Sequence, residues 1–333
     1  MVRIADVAKK AKVSTATVSR VLSNSVSVRK ETAEKVTAAI KELNYQPNIL
    51  ARQLRTMETK TILVVISDIS NPFFSKVLRG IKETAIHNGY QVLLGDIVNN
   101  AEQETNYLNI MRQRTADGMI LLTARSDKET VESIANEFPV VLACEYIEGT
   151  TIPTVSIDNI SSARKITEHL IKLNHKRIAT LTGPLDVVLG RDRLKGFQQA
   201  MSQYDLPLDP FLIQEGDFTF ESGYNLMSKL LASQNPPSAV FAASDEMAIG
   251  AIKAIKSFGL KVPEDISVVG FDDIKFASII EPALTTIAQP AFEIGSKAME
   301  LLIMLLNDKE LKNRQFILED HLVVRESCGE CKL

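Results

Sequence analysis

No stretch of this sequence approaches the roughly 18 uncharged apolar residues that a membrane-spanning helix requires, so no membrane partner is expected. The opening "MVRIADVAKKAKV" carries no apolar run of the kind found in a secretory leader. Three cysteines in 333 residues do not make a disulfide framework, which suits a reducing compartment. A cytoplasmic protein is therefore expected. The common catalytic signatures are missing too: there is no G-x-S-x-G, no G-x-x-x-x-G-K-[ST] and no H-E-x-x-H. No catalytic residue and no cofactor are assigned, and an enzyme is not expected. Cys328 and Cys331 form one C-x-x-C in the tail "ESCGECKL". A structural zinc site needs a second pair of ligands, so no metal site is expected there. His169 and His175, in "EHLIKLNHKR", are expected to cap or pack.

What is present is unevenly charged. Residues 1–60 hold 12 Lys and Arg against 5 Asp and Glu, while the remainder holds 26 against 36. A basic head on an acidic body points to a polyanion as the partner of the head, and a nucleic acid is the obvious one. The apolar share of 45% is enough for two or three domains with cores.

Within the head, Ile4, Val7, Ala8 and Ala11 recur at helical spacing and predict a first helix. Ser14 is placed to cap a second, Thr15 to Ser23. A third, with Ser27 as its cap and Ala33, Val36, Ile40 and Leu43 on its apolar face, is expected to run until Pro47 stops it. The second helix, "VSTATVSRVLS", has a thin apolar stripe of Val18, Val21 and Leu22. Its other face offers Thr15, Ala16 and Arg20. Two short helices joined by the turn "KAKV" and backed by a longer one describe a helix-turn-helix, whose second helix enters the major groove of DNA. Arg20 suits a bidentate contact to guanine, and the methyls of Thr15 and Ala16 suit thymine methyls. Ser14, Thr17 and Ser19 are better placed for phosphates.

The segment "PNILARQLRTMETK", residues 47–60, is too short for an independent helix. Asn48 is a cap candidate, and Leu54 between Arg52 and Arg55 has the chemistry of a minor-groove wedge. A hinge helix that orders on DNA is expected, with Asn48, Ala51, Leu54 and Arg55 touching it.

From Thr61 the pattern changes. "TILVVISD", "YQVLLGD", "DGMILLT" and "FPVVLAC", then "RIATLTG", "SAVFAAS" and "ISVVGFD", are short apolar runs separated by helical stretches. Such alternation predicts an α/β body with parallel sheets, in two similar subdomains around a cleft. Ligands of open α/β sheets sit beyond the carboxyl ends of the strands. The residues there are Asp68 before "SNPFF", Arg125, Glu145, Asp158, the loop "TGPLDVVLGRDR", Phe218, Ser244, Asp245 and Asp272. Carboxylates, guanidinium groups and rings together suit a polyhydroxylated ligand with a flat face. For Asp158, Ser244 and Asp245 helix capping is the competing role.

These residues resemble the lactose/galactose repressor family. The resemblance rests on "IADVAKKAKVSTATVSRVLS", "ARQL", "ISNPFF", "DGMILL", "SIDN", "HKRIATLTGP", "RLKGF", "SDEMAIGAI", "VPEDISVVGFDD" and "PALTTIAQP", and it runs nearly end to end. "VSTATVSR", "TILVVISD", "PTVSIDN" and "GDFTFE" look like its nucleoside-sensing branch. The resemblance implies a homodimeric transcriptional repressor on a palindromic operator, with a periplasmic-binding-protein-like body that closes around a small-molecule effector, a nucleoside or a sugar such as a pentose. It implies a helix-turn-helix domain over residues 1–46 and a hinge over 47–60. The body divides into one subdomain of 61–160 with 290–322 and another of 161–289 with 323–333. By family position Arg193, Asp245 and Asp272 hold ligand hydroxyls, and Phe73, Phe74 and Phe218 line the site. Val187 and Leu189 stand where purine-binding members carry an arginine and a threonine. Phe292 and Glu293 stand where catabolite-control members, which use a protein coeffector, have a tyrosine and an aspartate. A solute-binding module for a sugar also fits the body, but it leaves the basic head without a role.

The recognition face generates one expectation. Arg20→Ala should relax base preference at one position per half-site, at a cost of about 1–3 kcal/mol. A binding-site selection with wild-type and variant protein checks this; identical base preferences would remove Arg20 from base contact.

Overall fold

The computed structural model describes residues 2–22, 28–45, 58–98 and 100–331. The chain divides into two units between Glu58 and Thr59. The first contains α1 (Ile4–Ala11), α2 (Thr15–Leu22) and α3 (Lys30–Glu42). Lys12 turns left-handed at φ 54° and ends α1. Ser14 then caps α2, its Oγ accepting from the Thr17 amide at 3.1 Å. Val7, Val18 and Val36, one from each helix, are fully buried and meet Ala8, Ala11 and Ala39. Side chains this small let three short helices approach closely enough to share one core.

The third helix departs from expectation at both ends. It begins at Lys30 with Arg29 in the cap position, whereas Ser27 lies outside the described residues. It ends at Glu42, well short of Pro47. Asn44 adopts φ 47° and the Tyr45 amide bonds back to the Ile40 carbonyl at 3.0 Å. Asparagine tolerates the left-handed region, and the turn closes the helix before the proline is reached. The hinge residues Asn48, Ala51, Leu54 and Arg55 lie outside the described residues.

The second unit holds two parallel sheets. In the first, β1 (Thr61–Ile66), β2 (Gln91–Asp96), β3 (Gly118–Leu121), β4 (Val140–Ala143), β5 (Thr154–Ser156) and β11 (Gln315–Ile317) stand in the order β11-β5-β4-β3-β1-β2. In the second, β6 (Ile178–Thr182), β7 (Ile213–Glu215), β8 (Ala239–Ala242) and β9 (Ser267–Val269) stand in the order β7-β6-β8-β9. An antiparallel pair, β10 (Thr286–Ala288) with β12 (His321–Val323), completes the strands. The chain passes between the sheets after β5, again between β10 and β11, and finally at the tail, where the Val268 amide donates to the Ser327 carbonyl at 2.8 Å.

Between the strands run α4 (Pro72–His87), α5 (Ala101–Arg112), α6 (Lys128–Glu137), α7 (Asn159–Lys172), α8 (Val188–Gln203), α9 (Phe220–Leu231), α10 (Asp245–Ser257) and α11 (Ala291–Leu306). With helices on both faces, β3, β4, β6 and β8 are buried along their whole length. Unbroken apolar runs mark such strands. "YQVLLGD" has the same look but forms β2, which among the described residues is an edge strand paired with β1 alone, leaving Leu93 40% exposed.

Helices α4 and α11 touch backbone to backbone. A Cβ at Gly80 would lie 2.1 Å from the Phe292 carbonyl oxygen, and one at Gly295 would lie 2.0 Å from that of Val77. The two glycines face each other's helices, so neither position has room for a methyl group. Gly295→Ala should therefore force the helices apart and destabilise the body by about 1–3 kcal/mol. Thermal unfolding of the variant checks it, and an unchanged midpoint would show that the helices yield freely.

Candidate functional site

On α2, Thr15, Ala16 and Arg20 are exposed while Val18 is fully buried. Thr17 and Ser19 are half-buried. The Ser14 and Thr17 hydroxyls share a hydrogen bond of 2.9 Å. The cap thus uses part of the hydrogen-bonding capacity of both, and Thr15, Ala16 and Arg20 are the residues most open to an incoming groove.

In the body, the carboxyl ends of the strands of both sheets meet at one cavity. From the first sheet come Asp68 after β1, Phe73 and Phe74 at the start of α4, Arg125 after β3 and Glu145 after β4. From the second come Leu189 and Arg193 on α8, Phe218 before α9 and Asp272 after β9. The enclosed space is about 70 Å³, against ~300–1,000 Å³ for typical small-molecule sites. Two aromatic rings, Phe73 and Phe74, pack edge to face at 5.4 Å in one wall. Phe218, at φ 69°, lies opposite with its ring over Gly183, where a Cβ would come within 2.0 Å of it.

Arg193 is 3% exposed and carries the site's central charge. Its Nε donates to Asn159 Oδ1 at 3.0 Å and its Nη1 to the Ala243 carbonyl. Its Nη2 lies 3.5 Å from Asp272 Oδ1. The guanidinium stacks 3.7 Å from the centroid of Phe271. Across the cavity, Arg125 Nη1 is 2.8 Å from Glu145 Oε2, which also accepts from the Ala124 amide. Asp272 accepts from Gln289 Nε2 at 2.7 Å. Burial nevertheless raises its carboxyl to about 6, against the pull of Arg193. Glu246 also lines the cavity, and burial together with Asp272, Asp68 and Glu221 raises its carboxyl to about 7.

One expected ligand residue is placed elsewhere. Asp245 is fully buried behind the cavity wall. It accepts from Thr286 Oγ1 at 2.6 Å and from the Ile274 amide at 2.8 Å. It braces β10 and the loop after β9, and its neighbour Glu246 faces the space instead. The 3.6-residue helical period turns successive side chains by roughly 100°, so one step along "SDEM" separates a brace from a lining group. Asp158 and Ser244 are caps of α7 and α10, accepting from the Ser161 and Met247 amides. His175 is buried between Ser238, Ser267 and the Gly329 carbonyl, and His169 lies 3.3 Å from Cys328 Sγ. Among the described residues no group of three or more His, Cys, Asp or Glu is placed to hold a metal ion.

Two contacts join the walls directly. Tyr146, after β4, donates its hydroxyl to Asp192 Oδ2 on α8 at 2.9 Å, and Lys76 on α4 donates to the Asp273 carbonyl at 3.0 Å. Burial raises both the Tyr146 phenol and the Asp192 carboxyl above their ordinary values. The sequence did not pair them, although Asp192 stands in the loop "TGPLDVVLGRDR", because one follows a strand of the first sheet and the other lies on a helix packed against the second.

Residues 3–48 match the family described as bacterial regulatory proteins, lacI family, and residues 167–328 match the periplasmic binding protein-like domain. The chain is 42% identical to the HTH-type transcriptional repressor CytR of Escherichia coli K12 over 97% of this chain and 95% of that one. A crystal structure of the lac repressor dimer bound to operator and the anti-inducer ONPF superposes with a TM-score of 0.89 at 31% identity, covering 98% of this chain and 99% of that one. A LacI family regulator from Enterococcus faecium with bound ribose superposes with a TM-score of 0.73 at 29% identity, covering 82% of this chain and all of that one. Among the described residues no helix is long and apolar enough to cross a membrane.

The Tyr146–Asp192 bond generates a prediction. A single hydrogen bond of this kind contributes about 1 kcal/mol, so Tyr146→Phe should shift the ligand-free body about five-fold toward an open form. Small-angle X-ray scattering should then report a larger radius of gyration; an unchanged profile would mean the bond does not hold the walls together.

Proposed function

The chain belongs to the lacI family of bacterial regulatory proteins, and on that footing we propose that it is a transcriptional repressor whose operator affinity is set by a small molecule bound in the body. The observation that carries this reading is the presence in one chain of two surfaces: the exposed face of α2, and a cavity where two sheets converge on a buried arginine. Thr15, Ala16 and Arg20 read base edges in the major groove, and Ser14, Thr17 and Ser19 approach phosphates. Asn48, Ala51, Leu54 and Arg55 contact the minor groove. One helix-turn-helix reads too few bases, so a homodimer binds a palindromic operator with half-sites about one helical turn apart. The family's role, and not any missing group, supports a non-enzymatic protein that works in the cytoplasm.

The effector is a nucleoside or a pentose. Its hydroxyls are held by Arg193, Asp272, Asp68 and the Arg125–Glu145 pair, and its flat face by Phe73, Phe74, Phe218 and Leu189. The body divides for this purpose into 61–160 with 290–322 and 161–289 with 323–333. The register of β11 on β5 and the Val268–Ser327 bond support that division. A cavity of about 70 Å³ is too tight for such a ligand, so the walls part to admit it. The ligand acts on DNA binding only through its different affinity for the open and closed arrangements.

A thermal-shift screen of the full chain against nucleosides, pentoses, hexoses and purine bases tests the effector. A ligand at 100 times its dissociation constant adds about 2.7 kcal/mol of stability. The expected hit is a nucleoside or pentose that also changes operator binding. A hit confined to hexoses would replace the ligand class. No hit from a protein that still binds operator would transfer control to a protein coeffector.

A further inference from the structure

The cavity carries more negative charge than its arginines neutralise. Five carboxylates face it, those of Asp68, Glu145, Asp217, Glu246 and Asp272, against the two guanidinium groups of Arg125 and Arg193. Arg125 is paired with Glu145. Arg193 is engaged by Asn159, the Ala243 carbonyl and Asp272. Asp217 is exposed and occupied by Thr219, whose amide and hydroxyl both donate to it. Asp68 accepts from the amide and hydroxyl of Ser70. Glu246 is different: it is half-buried, and no described side chain or amide donates to its carboxylate.

Helix N-termini are the usual source of backbone amides for an anion. Four helices begin at this cavity, and in three of them a side chain caps one first-turn amide. Asn71 accepts from Phe73 on α4, Thr219 from Ser222 on α9, and Ser244 from Met247 on α10. The fourth, α8, has no side-chain cap, and Leu189 on its first turn faces the space with an isobutyl group.

We propose that Glu246, with Asp68 beside it, makes the cleft a discriminator of phosphorylation state: it admits a free polyhydroxylated ligand that donates hydrogen bonds or carries positive charge, and it rejects the phosphate ester of the same compound. The proposal rests on the nucleoside-or-pentose reading above. A phosphate monoester brings close to two negative charges into a space whose carboxylates already repel one another, whose two arginines are both engaged, and where Leu189 stands on the first turn of the one helix without a side-chain cap. The protein then reports on the free compound. The reactions that supply its effector are of the phosphate-ester hydrolysis or glycosyl-cleavage class, and the reaction that removes it is phosphoryl transfer to a ligand hydroxyl.

Calorimetric titration of the full-length protein with ribose, pyrimidine and purine nucleosides, and the 5-phosphate or 5′-phosphate of each, tests the proposal. At least one free compound should bind, and its phosphate ester should bind about 100-fold more weakly or not at all. In the near-isosteric Glu246→Gln, and further in Glu246→Gln with Asp68→Asn, the ester should recover about ten-fold or more. Operator binding by the variants confirms that they fold. Equal binding of ester and free compound to the wild-type protein would overturn this inference while leaving the effector reading in place. Unchanged rejection by the double variant would overturn it too, since the exclusion would then be steric. Failure of every free compound to bind would overturn the effector reading and this inference with it.

Discussion

The architecture of the cavity depends on one buried cation. Arg193 sits where three backbone segments meet: the start of α7 through Asn159, the end of β8 through the Ala243 carbonyl, and the loop after β9 through Asp272. A guanidinium taken out of water is costly unless charge and hydrogen bonds surround it. Burial pulls its proton affinity down, and Asp272, Glu145 and Asp245 hold it up. The acids of the cleft floor are thus partners of the arginine as much as candidates for ligand, and the ring of Phe271 stacks on the guanidinium.

This arrangement is available because two parallel sheets present their carboxyl ends to each other. Parallel strands place every following loop at the same edge, so residues far apart in the chain, such as Asp68, Glu145, Arg193 and Asp272, arrive at one cavity without any local sequence relation. Close helix packing sets the positions of those edges. Glycine contacts between α4 and α11 fix the helix that carries Phe73 and Phe74, and Gly223 and Gly250 do the same for α9 and α10, whose added methyls would meet carbonyls at 2.2 Å. The walls meet through contacts of modest strength, a phenol on a carboxyl and an ammonium on a carbonyl.

Much of the local structure was legible because it rests on short-range rules. Ser14 capping α2, the valine of each head helix at the core, and the apolar runs of β1, β3, β4, β6 and β8 follow from capping and from period alone. The failures have equally physical causes. Helix α3 ended at Glu42, before Pro47, because the left-handed turn at Asn44 closes a helix as surely as a proline does. The edge position of β2 was invisible because an apolar run does not say whether a neighbour stands on its far side. The strands β5, β7 and β10, three residues each, are too short to show a period.

The sequence by itself determined the class of the protein. A basic head with a thin-striped second helix, an acidic α/β body and a set of strand-end carboxylates, arginines and rings are properties of composition and spacing, and family resemblance added an expected division of the body. Tertiary structure decided which of those residues face the cavity. Asp245 became a brace and Glu246 a lining group because one residue turns a helix by about 100°, and Tyr146 met Asp192 because two sheets closed on each other. Both outcomes depend on where an atom lies relative to a second chain segment, and no pattern within one segment encodes that distance.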